Sequence, residues 1–286
     1  KSTDYLQYIN KINIDFDEFI FNDLTFNSLS INGFNSKKYF IFNDISVDSD
    51  EVNIQANGKI EFNNISSFNI HINSSNVENL LNYWNYKHSL RDSSTSSNFK
   101  INWQGHLLDF ELNKVYGKFS VNMMEGRLKK VGNRVSRIFG LFNIDLLSKR
   151  LSLDFDDVTK NGFYFNSLDG DFRIDSGNIF TTNLLVKGPS AEILAVGTTN
   201  IIDETYDMRV VASPEFGEAL PVIALLGGPI TAAATFAVEK LAKAFGKDIN
   251  NLVKVKYTVT GPWSNPIINV LNKKNNALDG IEDLFK

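Results

Sequence analysis

The sequence predicts a mainly β protein whose strands follow one another as an antiparallel meander. Apolar and polar residues alternate with a period of two over Ile12–Phe16 and through most of the first seventy positions. Clusters of turn residues, such as Asp48-Ser49-Asp50 and Asn57-Gly58, separate these runs and predict tight connections between strands. Three segments show a helical period instead, and these are residues 75–84, 133–147 and 219–245.

The N-terminal half predicts short strands interrupted by one helix. Asn32-Gly33 and Asn57-Gly58 are expected turns, and Ser75 with Glu78 three residues later predicts a capping box at the start of the helix. Residues 92–98, with the sequence DSSTSSN, predict a polar loop. The strands expected after that loop are Phe99–Trp103, Leu107–Leu112, Lys118–Val121 and Arg127–Val131.

The C-terminal half predicts further strands around two helical insertions. The insertion at 133–147 has its apolar residues on one side. No charged residue lies between Glu218 and Glu239, and Gly227-Gly228-Pro229 within this stretch predicts a tight bend between two helices. Beyond Trp263 the chain becomes polar and is expected to leave the sheet. The strands expected in this half are Leu151–Phe155, Phe163–Phe165, Gly170–Ile174, Ile179–Val186, Ala191–Gly197, Tyr206–Ala212 and Val253–Thr260.

The composition argues against several classes of protein. With 29 Lys and Arg against 33 Asp and Glu, the net charge is −4, and no long basic face is available for nucleic acid. The absence of cysteine excludes disulfides, thiolate metal sites and thiol nucleophiles, and three histidines leave little for a metal site or a general base. The carboxylates of Asp154, Asp156 and Asp157 lack the other ligands of a calcium loop. The sequence therefore predicts a protein that is not an enzyme and has no cofactor.

The predicted strands need a second layer, because a sheet with one apolar face must cover that face. Three helical segments are too few to cover so many strands. Two architectures remain: two sheets packed face to face as a sandwich, or one sheet that curls until its apolar face lines a groove. The period of two is the same in both architectures and does not separate them.

Four stretches of the C-terminal half share an order and spacing with a known family, and they are Arg137–Val158, Phe165–Ile193, Glu218–Phe236 and Lys256–Ile268. Together they resemble the C-terminal region of the AsmA-like family, in its YhdP branch. The upstream stretches SSNVENLLNYWNYKHSL and SNFKINWQG resemble the same branch, so the likeness covers roughly residues 65–268. Lys149 stands before Arg150 where the family tends to pair arginines, and this departure touches no apolar position.

The resemblance implies a periplasmic protein of the Gram-negative envelope, anchored in the inner membrane by a segment upstream of this chain. It implies one long curved β-sheet with an apolar groove, which moves phospholipid between the inner and outer membranes without chemical change. This chain would be the distal part, close to the outer membrane. Lys1–Asn10 contains no signal peptide, and the chain is expected to be a piece of a longer protein. The competing prediction is a closed β-sandwich that acts as a structural or binding module of the envelope.

The expected organisation is a β-groove segment over residues 1–131, an AsmA-like β region with two helical insertions over 132–268, and a polar tail over 269–286. Helices are expected to cluster towards the C-terminal end. Apolar strand positions are expected to line the groove and to hold acyl chains, since each buried CH₂ contributes about 0.8 kcal/mol. These positions are Phe26, Ile31, Ile54, Ile70, Phe172, Ile174, Leu184, Ile193, Val210, Val255 and Val259.

Two further sets of residues are expected to meet a membrane. Basic residues beside the insertion at 133–147 suit anionic headgroups, although a solvated helix face next to the core is the alternative. The hairpin at 219–245 has an apolar stripe that fits either a membrane surface, by resemblance the outer membrane, or the end of the groove. The headgroup residues are Arg127, Lys130, Arg134 and Arg137, and the membrane-contact residues are Leu226, Ile230, Ala234, Ala237 and Leu241.

Overall fold

The computed structural model describes residues 5–21, 24–62, 65–83, 90–128, 163–189, 191–214 and 255–271. These residues are mainly in β-strands, as predicted, and they include one short α-helix, α1, over Val77–Tyr83. The strands are β1 Lys11–Phe16, β2 Phe19–Phe21, β3 Leu24–Phe26, β4 Ser28–Ser36, β5 Tyr39–Asp48, β6 Val52–Glu61, β7 Ile65–Ser74, β8 Leu90–Arg91, β9 Ser94–Gln104, β10 Val115–Leu128, β11 Phe163–Asp175, β12 Asn178–Lys187, β13 Ala191–Asn200, β14 Thr205–Pro214, β15 Val255–Pro262 and β16 Ile267–Val270.

Fourteen of these strands form one antiparallel sheet, and thirteen of them follow the order β1-β4-β5-β6-β7-β9-β10-β11-β12-β13-β14-β15-β16. The short β8 pairs with the end of β10, and β2 and β3 form a separate hairpin. The sheet is curved, with β1 and β16 as its two open edges. The prediction of one curved antiparallel sheet is confirmed, and the described residues do not form the two stacked sheets of a sandwich.

One face of the sheet is apolar across nearly all of its strands. Residues directly opposite each other on antiparallel strands share a face. A row of such residues, here called the central row, crosses the whole sheet and consists of Ile14, Ile31, Ile45, Ala56, Ile70, Phe99, Phe119, Phe172, Thr181, Gly197, Met208, Val259 and Ile268. The side of the sheet that carries this row is the apolar face, and its residues gather into two hydrophobic clusters.

Bulges in β5 and β12 help to bend the sheet. At Asn43-Asp44 in β5 and at Thr182-Asn183 in β12, two successive residues are exposed and the register with the neighbouring strands shifts. The Asn183 side chain fills the interrupted ladder: its Oδ1 accepts a hydrogen bond from the Asp171 N–H at 2.9 Å, and its Nδ2 donates to the Asp171 carboxylate at 2.8 Å. After each bulge the apolar residues return to the same face.

Two predicted turns lie inside strands. Asn32-Gly33 is within β4 and Asn57-Gly58 is within β6. Both glycines are on the apolar face, where a ring from the neighbouring strand lies over each: a Cβ on Gly58 would be 2.5 Å from a ring carbon of Phe68. The turn prediction is wrong because these glycines make room for aromatic side chains and do not provide a positive φ.

Gly58→Ala is expected to lower the free energy of unfolding by about 1–3 kcal/mol, measured by urea denaturation. The added methyl group would overlap the Phe68 ring and lie closer still to the Ser67 carbonyl oxygen, so the pairing of β6 with β7 would have to shift. Gln55→Ala is the control, because Gln55 is exposed on the other side of the same strand. It should change stability by less than about 0.5 kcal/mol. Equal losses in the two variants would contradict the steric explanation.

The segment around α1 differs from the prediction in its cap and in the loop after it. The helix lies where it was expected, but Asn76 caps it, because the Asn76 Oδ1 accepts from the Asn79 N–H at 3.2 Å. Glu78 instead approaches Arg91 at 3.2 Å. Residues 92–98 are not a loop throughout, since β9 begins at Ser94 and pairs with both β7 and β10.

Two other strand predictions are wrong. Leu107–Leu112 is not a strand: this stretch includes one 3₁₀ turn, Leu107–Asp109, and runs into a second, Leu112–Lys114, and the His106 N–H donates to the Asp109 carboxylate at 2.9 Å. The strands predicted at Lys118–Val121 and from Arg127 onward are not separate, because β10 continues from Val115 to Leu128. The chain also stays in the sheet beyond Trp263, where β16 adds a last strand.

The opposite face of the sheet, here called the polar face, is rich in asparagine. The Asn69 Nδ2 donates to the Asn57 Oδ1 at 2.9 Å across β6 and β7. The His71 ring is hydrogen-bonded on both sides: its Nε2 is 2.9 Å from the Asn73 Nδ2, and its Nδ1 is 2.8 Å from the Asn98 Oδ1. The asparagines that alternate with apolar residues in the sequence therefore form cross-strand hydrogen bonds on the exposed side.

The predicted insertions at 133–147 and 219–245 and the predicted strand at 151–155 lie outside the described residues. The last described strands before the two insertions are β10 and β14. β7, β10 and β14 run in the same direction, since one strand separates β7 from β10 and three separate β10 from β14. Leu128 and Pro214 therefore end their strands on the rim that also carries α1, here called the α1 rim.

Candidate functional site

The residues predicted to line a groove lie on the apolar face, with one exception. Ile31, Ile70, Phe172 and Val259 belong to the central row, and the register places Val255 opposite Ala212. Phe26 does not share this face. Its ring stacks on Phe19, with 4.6 Å between centroids, in the hairpin of β2 and β3. The other residues on the face are Ile54, Ile174, Leu184, Ile193 and Val210.

The N-terminal part of the apolar face is partly open to solvent. At the edge strand β1, Ile14 is 38% exposed and Phe16 is 52% exposed. The strands β4, β5, β6, β7, β9 and β10 each have a neighbour on both sides, so their main-chain hydrogen bonds run within the sheet. Six partly exposed residues of the central row cross these strands, here called the open stripe: Ile31, Ile45, Ala56, Ile70, Phe99 and Phe119.

Stacked aromatic rings end the open stripe. Phe99 stacks on Phe119 with 5.4 Å between centroids and an angle of 17°, and Phe119 stacks on Phe172 at 4.8 Å and 12°. A second stacked pair is formed by Phe68 and Trp103, with 5.4 Å between ring centroids. Parallel rings in contact provide a flat apolar surface with fixed side-chain positions.

The C-terminal part of the apolar face is closed. Leu184 is 8% exposed and borders a set of residues that are at most 1% exposed. Desolvation by burial raises the pKa of the Tyr257 hydroxyl above its ordinary value. The residues beside Leu184 that are at most 1% exposed are here called the closed half, and they are Val186, Ile193, Ala195, Val210, Ala212 and Val259.

Two four-strand units, β4–β7 and β11–β14, share one pattern of strands. The sequence analysis did not predict this repeat. In each unit a bulged strand is followed by a strand with the spacing Ile-x-Ala-x-Gly, over Ile54–Gly58 and over Ile193–Gly197. The residues opposite the glycine and the alanine are Phe68 and Ile70 in the first unit. In the second unit they are Met208 and Val210. The shared spacing was visible in the sequence, but the bulges hide it from a search at a fixed period.

Arg127, predicted to meet lipid headgroups, lies on the polar side of β10 at the α1 rim. Its guanidinium is 4.3 Å from the centre of the Tyr164 ring, and its Nη2 is 3.5 Å from the Asp92 carboxylate. Leu128, the next residue, is buried on the apolar side. The structure therefore does not bring Arg127 onto the same face as the open stripe. Lys130, Arg134 and Arg137 lie outside the described residues.

A shallow trough of about 630 Å³ lies on the polar face across β5, β6, β7 and β9. Lys59 and Lys100 flank it, and Asn57 and Asn69 are among its lining residues. Because these side chains alternate with those of the open stripe, the trough is on the opposite side of the sheet. Its lining also includes Ile41, Phe42 and Ile101.

The membrane-contact residues Leu226, Ile230, Ala234, Ala237 and Leu241 lie outside the described residues. Within the described ranges, no helix is both long and apolar enough to cross a bilayer. The same ranges contain no group of three or more His, Asp or Glu side chains that is arranged to hold a metal ion.

Comparison with known proteins places the chain in a family. The model of the family described as YhdP protein matches residues 2–268. This chain belongs to the YhdP family. The resemblance to the YhdP branch is therefore confirmed, and the matched range contains every strand from β1 to β15.

One curated YhdP relative extends well beyond the length of this chain. The intermembrane phospholipid transporter YhdP of Escherichia coli (strain K12) is 26% identical over 182 residues, which are 63% of this chain. The chain spans 14% of the length of that relative. No solved structure matches the chain.

Proposed function

We propose that this YhdP-family chain takes part in carrying phospholipid between the inner and outer membranes of a Gram-negative envelope, without chemical change to the lipid. The Escherichia coli relative is an intermembrane phospholipid transporter, and this supports phospholipid as the cargo. The observation that carries the proposal is the open stripe, a partly exposed apolar row across six neighbouring strands. The apolar face is then the groove that holds the acyl chains. The chain works in the periplasm, and an upstream segment of the same protein supplies the inner-membrane anchor.

An acyl chain suits the open stripe better than a polypeptide does. A polypeptide on this surface would bury its own N–H and C=O groups, and each would lose hydrogen bonds to water. The stripe contains no polar side chain, and the strands beneath it already pair on both sides, so neither could replace those bonds. An acyl chain has no polar groups, and it gains about 0.8 kcal/mol for each CH₂ removed from water.

Membrane contact is proposed for the two insertions, which follow Leu128 and Pro214 in the sequence. The apolar residues Leu226, Ile230, Ala234, Ala237 and Leu241 would enter the interface of the outer membrane. The cations Arg127, Lys130, Arg134 and Arg137 would meet anionic headgroups, at about 1 kcal/mol each near a charged surface. Leu128 and Pro214, the last described residues before the two insertions, lie on the same rim, and this supports a shared site of membrane contact.

Native mass spectrometry of the purified protein, followed by lipid extraction, tests the proposed cargo. The expected result is co-purified phospholipid, released when the protein unfolds. A folded, lipid-free protein that also takes up no phospholipid from vesicles would contradict the proposal. A circular dichroism spectrum dominated by β-structure provides the control for folding.

Leu226→Asp and Ile230→Asp test membrane contact. If these side chains enter a bilayer, the variants should bind vesicles more weakly and keep their melting temperature. If the side chains instead pack against the sheet, the melting temperature should fall, since burying an unpaired carboxylate costs several kcal/mol. Lost stability with unchanged vesicle binding would contradict membrane contact. Thr231→Ser, a mild change in the same segment, is the control.

A further inference from the structure

We infer that acyl chains bind only the N-terminal part of the apolar face, along the open stripe, and that their path ends at Phe172. The closed half is then part of the folded core and not of the lipid path. This inference rests on the proposed function, because it concerns where the same cargo lies. It narrows the predicted groove, which included residues from both parts of the face.

The first argument is accessibility. The open stripe keeps part of each side chain in contact with solvent, from Ile31 on β4 to Phe119 on β10. In the closed half, Ile193 and Val259 have no exposed surface and Val210 has 1%. A ligand can remove from water only the surface that water reaches. The closed half therefore has no accessible surface that an acyl chain could cover unless the core around Tyr257 opens.

The second argument is the difference between the two repeated units. Opposite the same Ala-x-Gly spacing, the first unit has Phe68 and Ile70, and the second has Met208 and Val210. The second unit, which has the smaller side chains, is fully packed around Val210, since Ala195 and Ala212 have no exposed surface. In the first unit the glycine end is packed as well, since Phe68 is only 6% exposed, but Ala56 and Ile70 stay partly exposed. The alanine position and its neighbour are therefore open in the first unit and packed in the second.

The third argument is the position of Phe172. Its ring stacks on Phe119, the last member of the open stripe, and it also packs against the cluster that contains the closed half. The next residue in the central row is Thr181, which is buried and whose hydroxyl donates to the Asp171 carbonyl oxygen at 2.9 Å. The row therefore changes at this point from exposed and apolar to buried and polar. A methyl end of an acyl chain would stop against the Phe172 ring.

The length of the open part is sufficient for this role. Seven strands from β4 to β11 lie side by side along the row. With strands about 4.8 Å apart, they span about 29 Å. The acyl chains of one leaflet occupy about half of a 30 Å hydrocarbon core. An extended lipid therefore fits on the open stripe without using the closed half.

Photocrosslinking of the unmodified protein tests the inference. The probe is a phosphatidylethanolamine with a diazirine near the end of one acyl chain, loaded from vesicles and activated by light. Peptide mapping is expected to find label in β4–β7 and in β9–β11, and to find none in β13–β15. Label in β13–β15 at a similar level would overturn the confined path and leave the proposed function in place. Absence of bound or crosslinked lipid anywhere would overturn both.

Matched cysteine variants provide a second measurement, because the chain has no cysteine of its own. Ala56→Cys and Ala195→Cys occupy equivalent positions in the two units. The thiol of Ala56→Cys should react with a small maleimide, and lipid loading should slow this reaction by about tenfold, since labelling then requires lipid release. The thiol of Ala195→Cys should be unreactive in both states. A reactive Ala195→Cys thiol that lipid protects, in a variant with an unchanged melting temperature, would overturn the inference.

Discussion

Ile70→Asp is expected to remove bound phospholipid from a protein that still folds. Ile70 lies in the middle of the open stripe, between Ala56 and Phe99 on the neighbouring strands. Because the position is partly exposed, the carboxylate keeps contact with water in the lipid-free state. An acyl chain over it would exclude that water, at a cost of a few kcal/mol. Lipid affinity should therefore fall by about a hundredfold or more, measured by lipid extraction after purification.

Asn69→Asp is the matched control for this variant. It adds the same charge one position earlier on the same strand, on the polar face, where Asn69 is exposed. It breaks one exposed hydrogen bond to Asn57 and should leave lipid binding unchanged. An equal loss of lipid in the two variants would mean that net charge is responsible, and the assignment of the apolar face to acyl chains would be wrong.

The strand period was sufficient to predict the class of fold and the side of each strand that is apolar. Ile12, Ile14 and Phe16 alternate in the sequence, and the register sets them opposite Gly33, Ile31 and Leu29 on the same face. Alternation predicts the apolar side of a strand because successive side chains point to opposite sides of the sheet. The period could not choose between a sandwich and a curved sheet, since both bury one face of every strand. The family resemblance supported the curved sheet.

The strand boundaries were the weakest part of the prediction, and glycine is the main reason. Asn57-Gly58 has the residues of a tight hairpin turn, yet it lies within β6 because the Phe68 ring occupies the space above Gly58. Gly117 and Gly126 likewise lie inside β10. Local preference for a turn is outweighed when the neighbouring strand supplies both hydrogen bonds and a ring. That information is in the partner strand and not in the local sequence.

The sequence predicts which face of the sheet carries the candidate site, but it does not predict which part of that face is open to solvent. The sequence predicts Ile54 and Ile193 equally well as apolar strand positions, and both are on the apolar face. Only the three-dimensional packing distinguishes them, since Ile54 is partly exposed and Ile193 is fully buried. Hydrophobic patterning reports which residues avoid water, and it does not report whether protein or ligand covers them.

Ile193→Ala is expected to lower the free energy of unfolding by about 2–5 kcal/mol, because it leaves a cavity at a fully buried position between Val186 and Ala212. Ile54→Ala makes the same change at the equivalent position of the first unit. Ile54 is partly exposed, so this variant should lose only about 1 kcal/mol. Urea denaturation of both variants in lipid-free form gives the two values directly.

Lipid binding by the same two variants completes the comparison. Ile193→Ala should bind as much phospholipid per folded molecule as the unmodified protein does, because its side chain belongs to the core and meets no acyl chain. Ile54 neighbours Ala56 on the open side of the face, so Ile54→Ala should bind less. The opposite pattern, with normal stability and lost lipid in Ile193→Ala, would place β13 in the lipid path. It would mean that the fully buried residues of the closed half become accessible when lipid arrives.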